Sequence, residues 1–79
     1  MTKEEYKRYA DFLLDIWKPK RGCSFRGILS IKMYKTEPDP TLLFRIKLYH
    51  PQQKTHIVAV YKKQTDYENW EHFKKINMI

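Results

Sequence analysis

Between Leu42 and Tyr49 the chain alternates strictly, with Leu42, Phe44, Ile46 and Leu48 on one side of an extended backbone and Leu43, Arg45, Lys47 and Tyr49 on the other. That period of two predicts a half-buried strand with one apolar face and one basic, partly aromatic face. A run of similar character precedes it: Ile28 to Lys35 reads as a strand with Leu29, Ile31 and Met33 inward and Ser30, Lys32 and Tyr34 outward. Thr36-Glu37-Pro38-Asp39-Pro40-Thr41 supplies the turn between the two, because neither proline can donate to a ladder. After the loop His50 to Lys54, a third strand over Thr55 to Lys62 is expected to place Ile57, Ala59 and Tyr61 inward. The continuous apolar run Ile57 to Tyr61 also admits the opposite phase, with Val58 and Val60 buried.

Helical periods flank this sheet. Tyr6, Tyr9, Ala10, Leu13, Ile16 and Trp17 recur at steps of three and four, with Phe12 and Leu14 widening the stripe, so a helix is predicted from about Lys3 to Trp17. Thr2 and Glu5 have capping-box spacing at its start, and Pro19 ends it. Thr65 and Glu68 repeat that spacing before a second helix, from about Asp66 to Asn77, whose apolar arc is Tyr67, Trp70, Phe73 and Ile76. The fold class expected is α+β: helix, three-stranded antiparallel sheet, helix, with both helices on one sheet face and the two tryptophans in the core. Seventy-nine residues predict one small domain.

Charge sharpens this picture. The formal net charge is +7, but residues 1–18 balance to zero and residues 64–79 to −1, so the excess of +8 falls on residues 19–63. A positive field belongs to the sheet and its entry loop, and it can attract nucleic acid, an anionic membrane surface or an acidic protein surface without choosing among them. The single cysteine, Cys23, cannot form an internal disulfide, and the charged N-terminus lacks the apolar core of a signal peptide; a cytoplasmic location is expected. No apolar run is long enough for a membrane span.

Candidate chemistry is sparse. Cys23, His50, His56 and His72 match no zinc spacing, no nucleophile has an evident base in sequence, and two isolated glycines cannot form a phosphate loop. No metal, cofactor or catalytic residue is therefore assigned, and the chain reads as a binding module and not an enzyme. Its expected contact residues are Lys20, Arg21 and Arg26 in the loop before the first strand, with Lys32, Tyr34, Arg45, Lys47, Tyr49 and Lys62 on the open face of the sheet, interleaved with Leu43 and His56. If Thr36 pairs with Thr41, Lys32 stands opposite Arg45, a like-charge pair that favours an anion between them. Phosphates would meet the cations and bases the rings. The alternative is a protein-binding regulator or inhibitor, of the kind mobile elements encode, using Leu43, Val58, Val60 and the tyrosines as anchors within a basic rim.

With Lys62-Lys63 leading into the second helix, the layout resembles that of the double-stranded-RNA-binding-domain type of fold. That family's Gly-rich approach and its Lys- and Ala-rich helix start are replaced here by the acidic Gln64-Thr65-Asp66-Tyr67-Glu68, so no residue is carried over. Several small ribonuclease toxins share the arrangement with one catalytic histidine on the sheet, and by that analogy His56 is the one catalytic alternative.

Overall fold

The computed structural model describes residues 1–77 and has the expected order: α1 (Lys3–Ile16), β1 (Ser24–Tyr34), β2 (Thr41–His50), β3 (Lys54–Lys63) and α2 (Gln64–Asn77). The three strands form one antiparallel sheet in the order β1-β2-β3. Both helices lie on the same face. Tyr9 meets Tyr67, Phe12 meets Trp70 and Asp15 meets Lys74, so the numbers rise together and the helices run in the same direction.

The capping box forms as the spacing predicts: Glu5 N–H donates to Thr2 Oγ1 at 3.1 Å, and the Glu5 carboxylate accepts from the Thr2 backbone N–H at 3.4 Å. From α1 the buried set is Tyr9, Phe12 and Leu13, while Tyr6, Leu14 and Ile16 remain exposed at the margins of the stripe. The middle strand supplies the centre of the core, with Leu42, Phe44 and Ile46 fully buried and Leu48 nearly so. Phe12 is the hinge of an aromatic cluster, its ring 5.5 Å from those of both Tyr67 and Trp70 and 6.5 Å from that of Phe44.

A polar strap closes the helix pair at the edge of this cluster. The Trp70 indole N–H donates to Asp15 Oδ2 at 2.7 Å, and Lys74 Nζ stands 3.3 Å from the same oxygen. Those two partners hold the Asp15 carboxyl below its ordinary value. Burial pushes the Tyr67 hydroxyl up to about 12, with its hydrogen bond to Glu71 adding to the shift, and the same bond holds Glu71 low.

Three local expectations change. First, β1 begins four residues earlier and carries two irregularities, leaving Arg26 and Leu29 without partners on β2. Phe25, Ile28, Ile31 and Met33 therefore share the core-side register, and Leu29, expected inward, is 50% exposed. Second, β3 has the opposite phase from that expected. Val58 and Val60 stand beside Ile46 and Phe44 on the core side, whereas Ile57 and Tyr61 are each 63% exposed on the other face. The hairpin decides this: His50 pairs with Lys54, which has the left-handed φ of 58° typical of a three-residue connection, and that pairing fixes every partner upstream.

Third, α2 starts directly after β3 at Gln64, without using Thr65 as a cap. Its first N–H is already satisfied, since Gln64 N donates to Pro40 O at 2.8 Å from the turn before β2. Phe73 and Ile76 extend the apolar arc of α2 as predicted but are 64% and 55% exposed.

Candidate nucleic-acid interface

The sheet face turned away from the helices is built in rows. Along β2 the outward positions are Thr41, Leu43, Arg45, Lys47 and Tyr49, spaced about 6.6 Å apart by the strand rise. Across the sheet the rows read Tyr34–Thr41–Lys63, Lys32–Leu43–Tyr61, Ser30–Arg45–Ala59, Gly27–Lys47–Ile57 and Ser24–Tyr49–Thr55. Arg45 and Lys47 are flanked by small side chains on the β1 side and by Ala59 and Ile57 on the β3 side, so both cations stand clear of charged neighbours in their rows. Lys32 faces Leu43, not Arg45, because the strands pair two residues further from the turn than Thr36 with Thr41. The expected like-charge pair is absent, although Thr36 and Thr41 still share a hydrogen bond through their hydroxyls at 2.7 Å.

Arg26, expected in the loop, is a strand residue whose guanidinium lies over the Tyr49 ring at 5.0 Å, a cation–π contact that fixes both side chains on this face. Leu43 is only 6% exposed although no helix covers it, so its cover comes from neighbouring open-face side chains, with Lys32 and Tyr61 in register beside it. Tyr34 and Tyr61 are exposed and Tyr49 half-buried.

Electrostatically the face is one-sided. None of the three strands contains Asp or Glu. The ion pairs among the described residues join Lys74 to Asp15 and Lys75 to Glu71, all on helices, so Arg26, Lys32, Arg45, Lys47 and Lys63 have no carboxylate partner among those residues.

The site named from sequence is thus divided. Arg26, Lys32, Tyr34, Arg45, Lys47 and Tyr49 share the open face. Lys62 does not: it pairs with Leu42 on the helix side, and its place is taken by Lys63, while Tyr61 and Ile57 replace His56 and Val58. Lys20 and Arg21 lie elsewhere, at the rim of a recess of about 350 Å³ shared with Trp17, Cys23, His50 and His56. Sequence reasoning missed Tyr61, Lys63 and the recess itself, whose residues come together only through the fold. Although Cys23 and two histidines converge there, no group of His, Cys, Asp and Glu among the described residues is arranged to hold a metal ion.

Comparison with known proteins adds no assignment: no family model, curated protein or solved structure matches the chain. Among the described residues no helix is long and apolar enough to cross a membrane.

Proposed function

We propose that the protein is a binding module for single-stranded nucleic acid, which it contacts through the open face of its sheet. The observation that carries this reading is a face built from strands without Asp or Glu, on which five cations with no carboxylate partner among the described residues alternate with Tyr34, Tyr49 and Tyr61. Backbone phosphates answer the cations, and only unpaired bases can turn their faces onto tyrosine rings standing on a flat sheet. Arg45 and Lys47, exposed at the centre of the sheet, are the principal phosphate contacts, and Tyr61 and Tyr34 the principal stacking surfaces. The chain performs no chemistry in this reading.

The competing reading, a regulator that docks on an acidic protein, draws on the exposed Ile57 and Leu29, but two of its anchors, Val58 and Val60, face the core. Fluorescence anisotropy with a labelled single-stranded oligonucleotide separates the two. Binding that weakens steeply with salt is expected. Indifference to oligonucleotides, together with stoichiometric binding to one acidic protein, would replace this proposal with the second reading.

A further inference from the structure

The recess on the helix side, at the end of the sheet remote from the 35–40 turn, is chemically different from the open face. Its apolar floor comes from Trp17, Leu48 and Val58, and its polar rim from Lys20, Arg21, His50 and His56. These reach it from separate segments: the C-cap of α1, the 17–23 connection, the end of β2 and the start of β3. Among the described residues no Asp or Glu lines it.

The two imidazoles are oriented by the backbone. Gln52 N–H donates to His50 Nδ1 at 3.1 Å, and Gln53 N–H approaches it at 3.4 Å, so the proton of a neutral His50 sits on Nε2. That nitrogen lies where the 17–23 connection passes, 3.2 Å from the point a side-chain carbon on Gly22 would occupy. His56 faces the other way electronically: its Nδ1 can only donate to Lys54 O, at 3.4 Å, which leaves Nε2 as an acceptor. The recess thus combines two permanent cations, an N–H donor, a ring acceptor and an indole on an apolar floor. Its volume is within the roughly 300–1,000 Å³ of small-molecule sites.

From this set we infer that the recess binds a phosphomonoester carrying a nucleobase, with the phosphate held by Lys20 and Arg21 and the base laid against Trp17. A free nucleoside 5′-phosphate and the phosphorylated end of a nucleic acid present the same chemistry. The open face grips phosphodiesters along a strand, so this site stands independently of it, on the other side of the sheet.

The test is a titration with adenosine 5′-monophosphate followed by ¹H–¹⁵N correlation spectra of backbone, indole and imidazole groups. Saturable shifts are expected at Trp17, His50 and His56, with adenosine binding weaker by about tenfold or more, the effect of losing charge-assisted hydrogen bonds. Lys20→Ala with Arg21→Ala should weaken the nucleotide by a similar factor, and both side chains are exposed, so the remaining spectrum reports an intact fold. Arg45→Ala with Lys47→Ala should leave nucleotide binding unchanged. An oligonucleotide with a 5′-phosphate is then compared with its 5′-hydroxyl form: a preference for the phosphate identifies strand ends as the ligand, and equal binding identifies the free nucleotide. The inference is overturned if adenosine binds as tightly as its phosphate, if the Lys20/Arg21 variant binds normally, if the shifts map to the open face, or if no saturable shift occurs by about 5 mM ligand, a free energy near 3 kcal/mol.

Discussion

Replacing Arg45 and Lys47 together by Ala is the sharpest perturbation of the open face, because the structure lets its electrostatic and structural effects be separated. In their rows Arg45 stands between Ser30 and Ala59, and Lys47 between Gly27 and Ile57, and neither cation has a carboxylate partner among the described residues. Their removal breaks no ion pair and relieves no cross-strand repulsion, so stability should change by no more than about 0.5 kcal/mol. Binding should respond quite differently. If Arg26, Lys32, Arg45, Lys47 and Lys63 each neutralise one phosphate, the slope of log affinity against log salt on a single strand is about −3.5, falling to about −2.1 in the double variant. At 0.1 M salt the lost counterion release amounts to roughly 25-fold in affinity. Anisotropy titrations of a short single-stranded oligonucleotide across a salt series measure both quantities. The control is Lys3→Ala with Lys7→Ala, exposed positions on α1 that lower the net charge equally and should leave the slope nearly intact. Equal losses in the two double variants would mean that only bulk charge matters, and the open-face site would have to be abandoned.

Four further outcomes test the fold beneath this site. Val60→Ala, which empties a buried position opposite Phe44, should cost about 1–3 kcal/mol in urea unfolding, whereas Ile57→Ala should stay within about 0.5; the reverse order would refute the phase of β3. The Tyr67 hydroxyl is raised from 10.0 to about 12, so its contribution is complete below the ordinary phenol value and is lost as pH climbs from about 10 through about 12, a decline in melting temperature that Tyr67→Phe should reduce. Asp15 and Glu71, held low, contribute above their ordinary values of 3.8 and 4.5 and lose that contribution as pH falls below them, so Asp15→Asn should flatten the acid limb of the same melting curve. Gly22→Ala, at φ +92° and with His50 Nε2 in its way, should destabilise by about 1–2 kcal/mol, while Gly27→Ala, whose added carbon would meet nothing within 4 Å among the described residues beyond its chain neighbours, should be tolerated.

The strongest local patterns carried the fold. Four apolar residues at strict alternation in β2 are the four of that strand that reach 0–3% exposure, and the Thr2–Glu5 spacing became the cap of α1. What failed depended on pairing. The run Ile57-Val58-Ala59-Val60-Tyr61 has no alternation to read, yet the turn contained the answer: closing Tyr49 on Thr55 puts Val58 opposite Ile46, whatever the hydrophobicity of its neighbours. For β1 the only local sign of irregularity was a glycine within a strand pattern, Gly27, a residue that often marks a bulge. The recess was illegible for another reason. Trp17 and Arg21 lie far along the chain from His50 and His56, and only the return of the 17–23 connection over His50 brings the two pairs to one rim.

The irregularity beside Arg26 explains how one edge strand serves both faces. Counting back from the inward Ile28 without it, Gly27 would face out, Arg26 inward and Phe25 onto the open face. An unpaired guanidinium under the helices would cost several kcal/mol, and the core would lose an aromatic ring. Inserting one residue reverses both positions: Phe25 joins Leu48 on the core side, where it packs against the buried cluster, and Arg26 swings out over Tyr49. This insertion and the second one at Leu29 interrupt the regular ladder of β1, which blunts that edge against pairing with another chain, while β3 keeps an unbroken register with β2 and places Lys54, Lys62 and Lys63 at its ends. The positive open face is therefore a property of register as much as of composition: moving Arg26 to the other side of the sheet by one residue would remove a cation from the proposed nucleic-acid surface and bury it where nothing on the sheet can neutralise it.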